Sequence, residues 1–372
     1  MDRFLGAHVF GTEPARLVDE IAFALGPLPA TANFGFLYAS DALSSRLPVI
    51  LPRLKDVTGI EHWIGSVGVG LCVGGEEIYD RPALAAMVGG FPADAFRVLP
   101  SCYDAADTPP ADIAAWAGGH AAHFGLIHGD PSNPATPELI RQLADSLPGA
   151  FLTGGLTSSQ GLNFQFADEP VQGGISGALF AETVAVIAGH TQGCTPIGPK
   201  HRITAAQRNI VIELDGRPAF EVMREDIGEV LARDLNRIGG YIFAGLPVAG
   251  SDTGDYLVRN LMGVDTTRGL VAIGDLAQEG GSLMFCRRDG NTAREDMLRM
   301  LEDLRARGGG DARGAVYVSC LGRGRHQFGE DSEELKLVRE VLGDLPLVGF
   351  FANGEIFHNR LYGYTGVLSV FL

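Results

Sequence analysis

The feature that most constrains the fold of this chain is a structural unit that occurs three times along it. Each copy begins with a short apolar strand, continues with a helix and ends with a second apolar strand bordered by glycines. The copies span residues 34–73, 123–156 and 315–358. Glycine inside a strand is unfavourable unless a bulge or a close approach of another group uses it. We therefore expect these strands to bend or lie against a ligand, or to pack tightly, within an internally duplicated strand–helix–strand architecture.

In the third copy, Ser332 is a plausible N-cap for a helix that ends at Leu342. Residues 164–194 alternate apolar and polar positions between turn signals, which is typical of antiparallel hairpins. A helix is also predicted from Pro218 to Leu235. The sequence therefore predicts a mixed α/β fold, a two-domain layered sandwich with mixed sheets.

The length of 372 residues supports the division into two domains, because one ordinary hydrophobic core does not grow to that size. Residues 193–201 are rich in turn formers and suit a boundary. The predicted parts are an N-terminal segment 1–29, a first domain 30–200 and a second domain 201–372.

Charge and cysteine usage limit the class of partner. The chain has 29 basic and 45 acidic side chains, a net charge of −16, so its average field repels nucleic acids and anionic lipid surfaces. Five scattered cysteines without a C-x-x-C pair fit reduced thiols. No signal-peptide core or run of about 18 apolar residues is present. We expect a cytoplasmic protein with no nucleic-acid partner and no membrane insertion.

Three near-matches to chemical motifs fail on spacing. Residues 65–70 lack the G-x-G-x-x-G pattern, residues 193–200 have Pro199 at the lysine position of a phosphate-binding loop, and Ser176 lacks the second glycine of G-x-S-x-G. No catalytic residue and no metal site is predicted. An enzyme that uses Cys194, His201 or Glu355 stays open as an alternative.

A histidine tract and a set of polar residues are candidates for ligand binding. His120 and His123 would share a face if their segment were helical, so metal or haem ligation is one interpretation. The simpler one places His123 and His128 at the edges of a strand. Cys194, near His201, is either a thiolate of lowered pKa or a buried structural thiol. The polar set could orient a ligand through paired charges, or form surface ion pairs and turn caps; it comprises Arg202, Asn209, Glu213, Asp215, Arg217 and Glu221.

Several segments follow one another in a characteristic order: FLYAS, WIGSVGVGLCVGGEEI, QGCTPIGPKHRIT and IVIELDGRPAFEVMRE, with VGFFANGEIFHNRLYGYTGVLSVFL at the end. Together they resemble FIST proteins, named for F-box and intracellular signal transduction, over nearly the whole chain. The resemblance implies a bacterial sensory module, composed of a FIST N and a FIST C domain, that binds a small ligand such as an amino acid. Its expected partner is a histidine kinase or a chemotaxis component.

Some bacterial FIST proteins bind haem and sense nitric oxide, so the resemblance also implies an alternative with haem as cofactor. The candidate haem ligands are His120, His123, His128 and His358. Our leading hypothesis is a small polar ligand in a cleft lined by the glycine-ended strands and the segment GCTPIGPKHR between the two domains. The candidate ligand-binding residues are Ser66, Gly68, Gly70, Gly154, Gly155, Cys194, His201, Arg202, Asp215, Arg217, Asn353 and Glu355.

Overall fold

The computed structural model describes residues 3–228, 238–248, 255–308 and 310–372. The chain forms two compact units. The first comprises Met1–Thr191 and Asp296–Leu372, and the second comprises Gln192–Glu295. The second unit is therefore an insertion in the sequence of the first, and the linear boundary near residue 200 stays a prediction.

The elements follow in chain order. The first repeat contains β1 (Leu5–Phe10), α1 (Pro14–Leu25), β2 (Phe34–Ser40), α2 (Leu47–Thr58), β3 (His62–Gly68), β4 (Gly70–Val73), β5 (Glu76–Tyr79) and β6 (Ala83–Gly89). The second repeat contains β7 (Phe96–Cys102), α3 (Ala111–Gly119), β8 (Ala122–Gly129), α4 (Thr136–Ser146), β9 (Phe151–Leu156), β10 (Gln165–Ala167), β11 (Pro170–Val171) and β12 (Ile175–Ala181).

The third repeat opens with β13 (Val186–Gln192) and is interrupted by the second unit. That unit contains β14 (Cys194–Pro196), β15 (His201–Gln207), β16 (Ile210–Leu214), β17 (Arg217–Pro218), α5 (Ala219–Ile227), β18 (Ile242–Pro247), β19 (Tyr256–Asp265), β20 (Leu270–Ile273) and β21 (Ser282–Arg288). The repeat resumes with α6 (Gly290–Gly308), β22 (Gly314–Cys320), α7 (Glu333–Leu342), β23 (Leu347–Ala352), β24 (Glu355–Phe357), β25 (Arg360–Tyr362) and β26 (Thr365–Phe371). Short 3-10 turns occupy Asp41–Arg46, Ala105–Asp107 and Gly324–His326.

The three repeats form three sheets of the same design. Their strand orders are β1-β6-β2-β3-β10-β11 in sheet 1, β7-β12-β8-β9-β24-β25 in sheet 2 and β13-β26-β22-β23-β4-β5 in sheet 3. The two middle strands of each sheet are parallel, and the strands that flank this pair are antiparallel to it. The structure confirms the predicted mixed α/β fold with mixed sheets and a recurring strand–helix–strand unit.

In each repeat, the hairpin that follows the second strand of the parallel pair joins the sheet of another repeat. The β4–β5 hairpin follows β3 but pairs with β23, β10–β11 follows β9 but pairs with β3, and β24–β25 follows β23 but pairs with β9. The exchange is cyclic, so each sheet is completed by a hairpin from a different repeat.

The glycines that interrupt the second strand of each parallel pair occupy equivalent positions in the three sheets. Gly65, Gly154 and Gly349 each pair with a residue of the neighbouring parallel strand. A Cβ atom would lie 1.7 Å from that partner's carbonyl oxygen at Gly65 and Gly349, and 1.8 Å at Gly154. Because no side chain tolerates such an approach, close contact between backbones accounts for these glycines.

The faces of the sheets are buried in separate clusters. The largest cluster brings together residues from all three sheets, with Phe4, Phe34 and Phe371 among its aromatic members. Helices α1 and α2 cover the other face of sheet 1, and α6 and α7 cover that of sheet 3. Burial of one such aromatic side chain contributes about 1.5–3 kcal/mol.

The second unit is a closed barrel, in which β21, β15, β16, β20, β19 and β18 follow one another and β18 pairs back to β21. Helix α5 packs on it through Val222 and Met223. The helix predicted from Pro218 to Leu235 begins at Ala219 and ends at Ile227. Residues 229–235 lie outside the described residues.

Candidate functional site

The carboxyl ends of β3, β9 and β23 meet within the first unit. The Ser158 hydroxyl, just beyond β9, accepts a hydrogen bond from Val69 N at 3.0 Å and donates one to the Phe351 carbonyl. Asn353 N donates to the Leu156 carbonyl at 3.0 Å. In sheets with parallel strands, ligands commonly bind beyond the carboxyl ends of those strands. The residues around this junction therefore form the candidate site.

Four candidate glycines lie near the junction, but protein neighbours account for each. Gly154 is held against a carbonyl, as described above. A Cβ atom at the other three would lie less than 3.0 Å from a side-chain carbon: at Gly68 from Phe350, at Gly70 from Tyr79 and at Gly155 from Val318. Tight packing of the sheets, the second interpretation of the glycine pattern, thus explains these residues without a ligand.

Glu355 is the candidate whose surroundings are most unusual. It follows β23, pairs across the sheet with Gly155, and is completely buried. Its Oε2 accepts hydrogen bonds from Thr365 N at 3.1 Å and Thr365 Oγ1 at 2.7 Å. Its Oε1 makes no hydrogen bond to a nitrogen or oxygen among the described residues. Burial raises the pKa of Glu355 to about 8, and its interactions with Thr365, Arg323 and the Cys320 thiol oppose the rise. At neutral pH this carboxyl is mostly protonated.

A second buried group, Arg323, lies in the loop after β22. Its Nε donates to Glu334 Oε1 at 2.7 Å, and both side chains are completely buried. Tyr317 OH donates to the same oxygen at 2.6 Å, and Gly324 N donates to Glu334 Oε2 at 2.7 Å. These bonds offset the cost of removing two charges from water. Among the described atoms, Arg323 Nη1 finds no partner.

Glu77 of the exchanged β5 strand closes this network. Its Oε1 accepts a hydrogen bond from Glu334 N at 3.2 Å, and its Oε2 accepts one from Tyr79 OH at 3.0 Å. Burial and the neighbouring Glu334 raise the pKa of Glu77 to about 7. Ser332 precedes α7 as predicted, but its hydroxyl accepts from Glu77 N instead of capping the helix. The first turn of α7 is therefore capped by a side chain from another repeat, which no local pattern indicates.

His128 lies in a polar layer between sheets 1 and 2. Its Nε2 hydrogen bonds Tyr38 OH at 3.1 Å, and rings of Tyr38 and Phe350 lie against the imidazole. Ser66 belongs to the same layer and hydrogen bonds Thr157 Oγ1 at 2.9 Å. Burial lowers the pKa of His128 to about 3, so the ring is neutral. Its Nδ1 finds no partner in the described part of the chain.

The other haem-ligand candidates lie apart from His128. His120 follows α3, is exposed and stacks on Trp116, so the segment from His120 to His123 is not helical. His123 and His128 lie within β8. His358 is exposed beyond β24. Surface grooves of 540, 520 and 390 Å³ have no histidine in their described walls. With its ring enclosed, His128 has no open face for a porphyrin, so the residues present do not fit haem there.

The remaining candidates lie in the second unit. Cys194 is buried in β14, which agrees with a structural thiol. His201 links Asp215, at 2.7 Å from Nδ1, to Asp226, at 2.9 Å from Nε2. Burial alone would lower the pKa of His201, but these two hydrogen bonds raise it above its usual value.

Two further polar candidates have local roles in this unit. The backbone N–H of Arg202 donates a hydrogen bond to Asp215 Oδ1 at 2.8 Å, and the Arg217 side chain forms a salt bridge with Glu225. These residues are exposed. The contacts of Arg202 and Arg217 agree with turn stabilisation and surface ion pairing, and a role of the polar set in ligand binding stays a prediction.

Sequence reasoning missed Cys320, Arg323, Glu334 and Thr365. An arginine in a glycine-rich loop and a glutamate in a charged helix start both resemble solvated positions, so their burial leaves no local signal. Within the described ranges, no group of three His, Cys, Asp or Glu residues could hold a metal ion. No described helix is both long and apolar enough to cross a membrane.

Comparison with known proteins shows which protein family this chain is similar to. The FIST N domain model matches residues 33–217, and the FIST C domain model matches residues 219–358. An uncharacterised protein of Mycobacterium tuberculosis is 33% identical over 329 residues, which cover 83% of each chain. An uncharacterised protein of Mycobacterium bovis is 29% identical over 374 residues, which cover 95% of this chain and 92% of the relative.

Proposed function

This chain belongs to the FIST family, and we propose that it is a sensory protein that binds a small polar ligand at Glu355 and signals to a partner protein. FIST domains are associated with signal transduction, which supports the sensory role. The ligand class that we favour is an amino acid or a similar metabolite. The partner that we favour is a histidine kinase or a chemotaxis component.

One observation carries the proposal: at the junction of the three parallel strand pairs, the completely buried carboxyl group of Glu355 has one oxygen without a nitrogen or oxygen partner among the described residues. An unsatisfied buried polar group costs about 1–3 kcal/mol. A ligand that hydrogen bonds Glu355 Oε1 recovers that energy.

Signalling would follow from the exchanged hairpins. Glu355 starts β24, and this strand belongs in sequence to the third repeat but pairs with β9 of the second. A ligand that binds one arrangement of this hairpin more tightly shifts the population toward it, and a partner that distinguishes the arrangements reads the shift.

A thermal-shift screen of amino acids and related polar metabolites tests the proposal. A ligand present at 100 times its Kd stabilises the protein by about 2.7 kcal/mol. We expect a hit to raise the Tm of the wild type and of Glu340→Gln, an exposed control in α7. The shift should be lost in Glu355→Gln. An equal shift in Glu355→Gln would exclude Glu355 as the binding residue.

A further inference from the structure

Large apolar side chains are exposed on one pair of helices and not on its structural equivalents. Phe23 on α1 is 88% exposed, and Val49 and Val57 on α2 are 59% and 48% exposed. In the described residues of the equivalent pairs, α3 with α4 and α6 with α7, no large hydrophobic side chain is exposed. Because the three repeats share one design, the fold does not require this exposure. An exposed apolar cluster of this kind is typical of an interaction surface.

The topology places these residues in one stripe. Strands β1, β2 and β3 are mutually parallel, because β1 and β2 are both antiparallel to β6 and β2 is parallel to β3. Helices α1 and α2 connect them in turn, so the two helices run in the same direction. Asp19 on α1 pairs with Arg53 on α2 at 2.8 Å, which sets their relative register.

Residues four positions apart on a helix share a face. One turn after the ion pair, Phe23 therefore lies level with Val57, and one turn before it, Ala15 lies level with Val49. The α1/α2 stripe comprises Ala15, Asp19 and Phe23 on α1 and Val49, Arg53 and Val57 on α2. It has two apolar ends and one acid and one base at its centre.

We propose that the α1/α2 stripe binds the same stripe of a second copy of this chain around a twofold axis that runs parallel to the two helices and between them. The twofold operation places each helix opposite the other helix of the second copy and does not exchange the ends of the stripe, so Phe23 faces Val57 of the other copy and Ala15 faces Val49. Asp19 faces Arg53 of the other copy. A self-complementary surface of this kind is what an isologous dimer requires.

Charge supports a second copy as the occupant. The chain carries a net charge of −16, so two copies repel each other over most of their surfaces. Helices α1 and α2 together carry three basic and three acidic side chains. Two copies can therefore meet at this face without a local excess of negative charge.

The size of the stripe places the proposed interface at the small end of protein–protein interfaces. A 12-residue helix is about 18 Å long, and two packed helices are about 20 Å wide, so each copy buries on the order of 400 Å². Stable dimers bury about 800 Å² per partner. The interface is accordingly small for a stable dimer, and we expect a weak dimer whose population rises with protein concentration.

Sedimentation velocity over about 5–500 μM protein tests the proposal. We expect concentration-dependent dimerisation of the wild type, at least a tenfold larger Kd for Phe23→Glu, and no change for Met262→Glu, a control whose side chain is 65% exposed in the second unit. Asp19→Arg should abolish the dimer, and Asp19→Arg combined with Arg53→Asp should restore it. A wild type that stays monomeric, or a dimer that Phe23→Glu leaves intact, would overturn the proposal.

Cross-linking tests the twofold geometry independently. All five native cysteines are buried, so an introduced surface cysteine is the reactive thiol. Under oxidation, a mixture of Phe23→Cys and Val57→Cys proteins should form a disulfide between residue 23 of one copy and residue 57 of the other. Disulfides formed only between identical variants would contradict the proposed arrangement.

Discussion

The buried Arg323–Glu334 pair makes the most specific stability prediction. Glu334→Ala removes the acceptor for three side-chain donors, on Tyr317, Ser319 and Arg323, and for Gly324 N. At about 1 kcal/mol or more for each buried donor, the loss is about 4 kcal/mol. This value lies within the range of about 3–5 kcal/mol for breaking a buried ion pair. For a unit of this size, it corresponds to a decrease in Tm of about 6–10 °C.

The matched control is Glu333→Ala in the same helical turn. Glu333 pairs with Lys336 at 3.0 Å, and both side chains are partly exposed, so its loss costs less than about 0.5 kcal/mol. Arg323→Met should cost less than Glu334→Ala, because Glu334 keeps its other donors, whereas among the described residues Arg323 would keep Met297 Sδ and the Phe328 ring. Differential scanning calorimetry measures all three variants. A loss below 1 kcal/mol for Glu334→Ala would refute the reasoning.

Four further outcomes are expected. Gly154→Ala forces a Cβ to 1.8 Å from a carbonyl oxygen and should destabilise the protein by at least about 2 kcal/mol in urea unfolding, whereas Gly118→Ala, a helical site with open space, should be neutral or stabilising. The pKa of His201 is raised in the folded state, so the stabilisation from its ion pairs is complete below about pH 6.5 and is lost as the pH rises through the folded pKa. In urea unfolding of the whole protein at several pH values, His201→Asn should remove this pH dependence. Glu355, whose folded pKa is about 8, costs stability increasingly as the pH rises from 4.5 to 8, so Glu355→Gln should gain Tm relative to the wild type at pH 9 and not at pH 4. Purified protein expressed with a haem precursor should show no Soret band, and a Soret band lost in a histidine variant would revive the haem alternative.

The repeated unit could be predicted from sequence because its signals are local. Apolar runs, a helical pattern and flanking glycines predict a strand with His123 and His128 at its edges, and the structure has β8 at Ala122–Gly129. The exchange of hairpins could not be predicted, because nothing in the sequence of β4–β5 indicates that β4 pairs with β23. The insertion of the second unit into the third repeat was hidden for the same reason, since β13 and β22 are far apart in the chain.

A residue of the candidate site could be predicted only where its residue type occurred next to a recognisable secondary-structure pattern. Glu355 follows a glycine-ended strand, and this position brought it into the candidate set. Its complete burial and its interactions with Thr365 and the Cys320 thiol depend on tertiary packing, which no spacing indicates. His128 was proposed as a ligand from a histidine tract, but tertiary packing against Tyr38 and Phe350 encloses its ring.

Native mass spectrometry of gently purified wild-type and Glu355→Gln proteins tests the central claim most directly. If a small polar ligand binds at Glu355, the wild type and Glu340→Gln should carry a small-molecule adduct, either co-purified or added from the screen, and Glu355→Gln should not. An adduct of equal occupancy on Glu355→Gln would contradict the claim that this buried carboxyl holds the ligand.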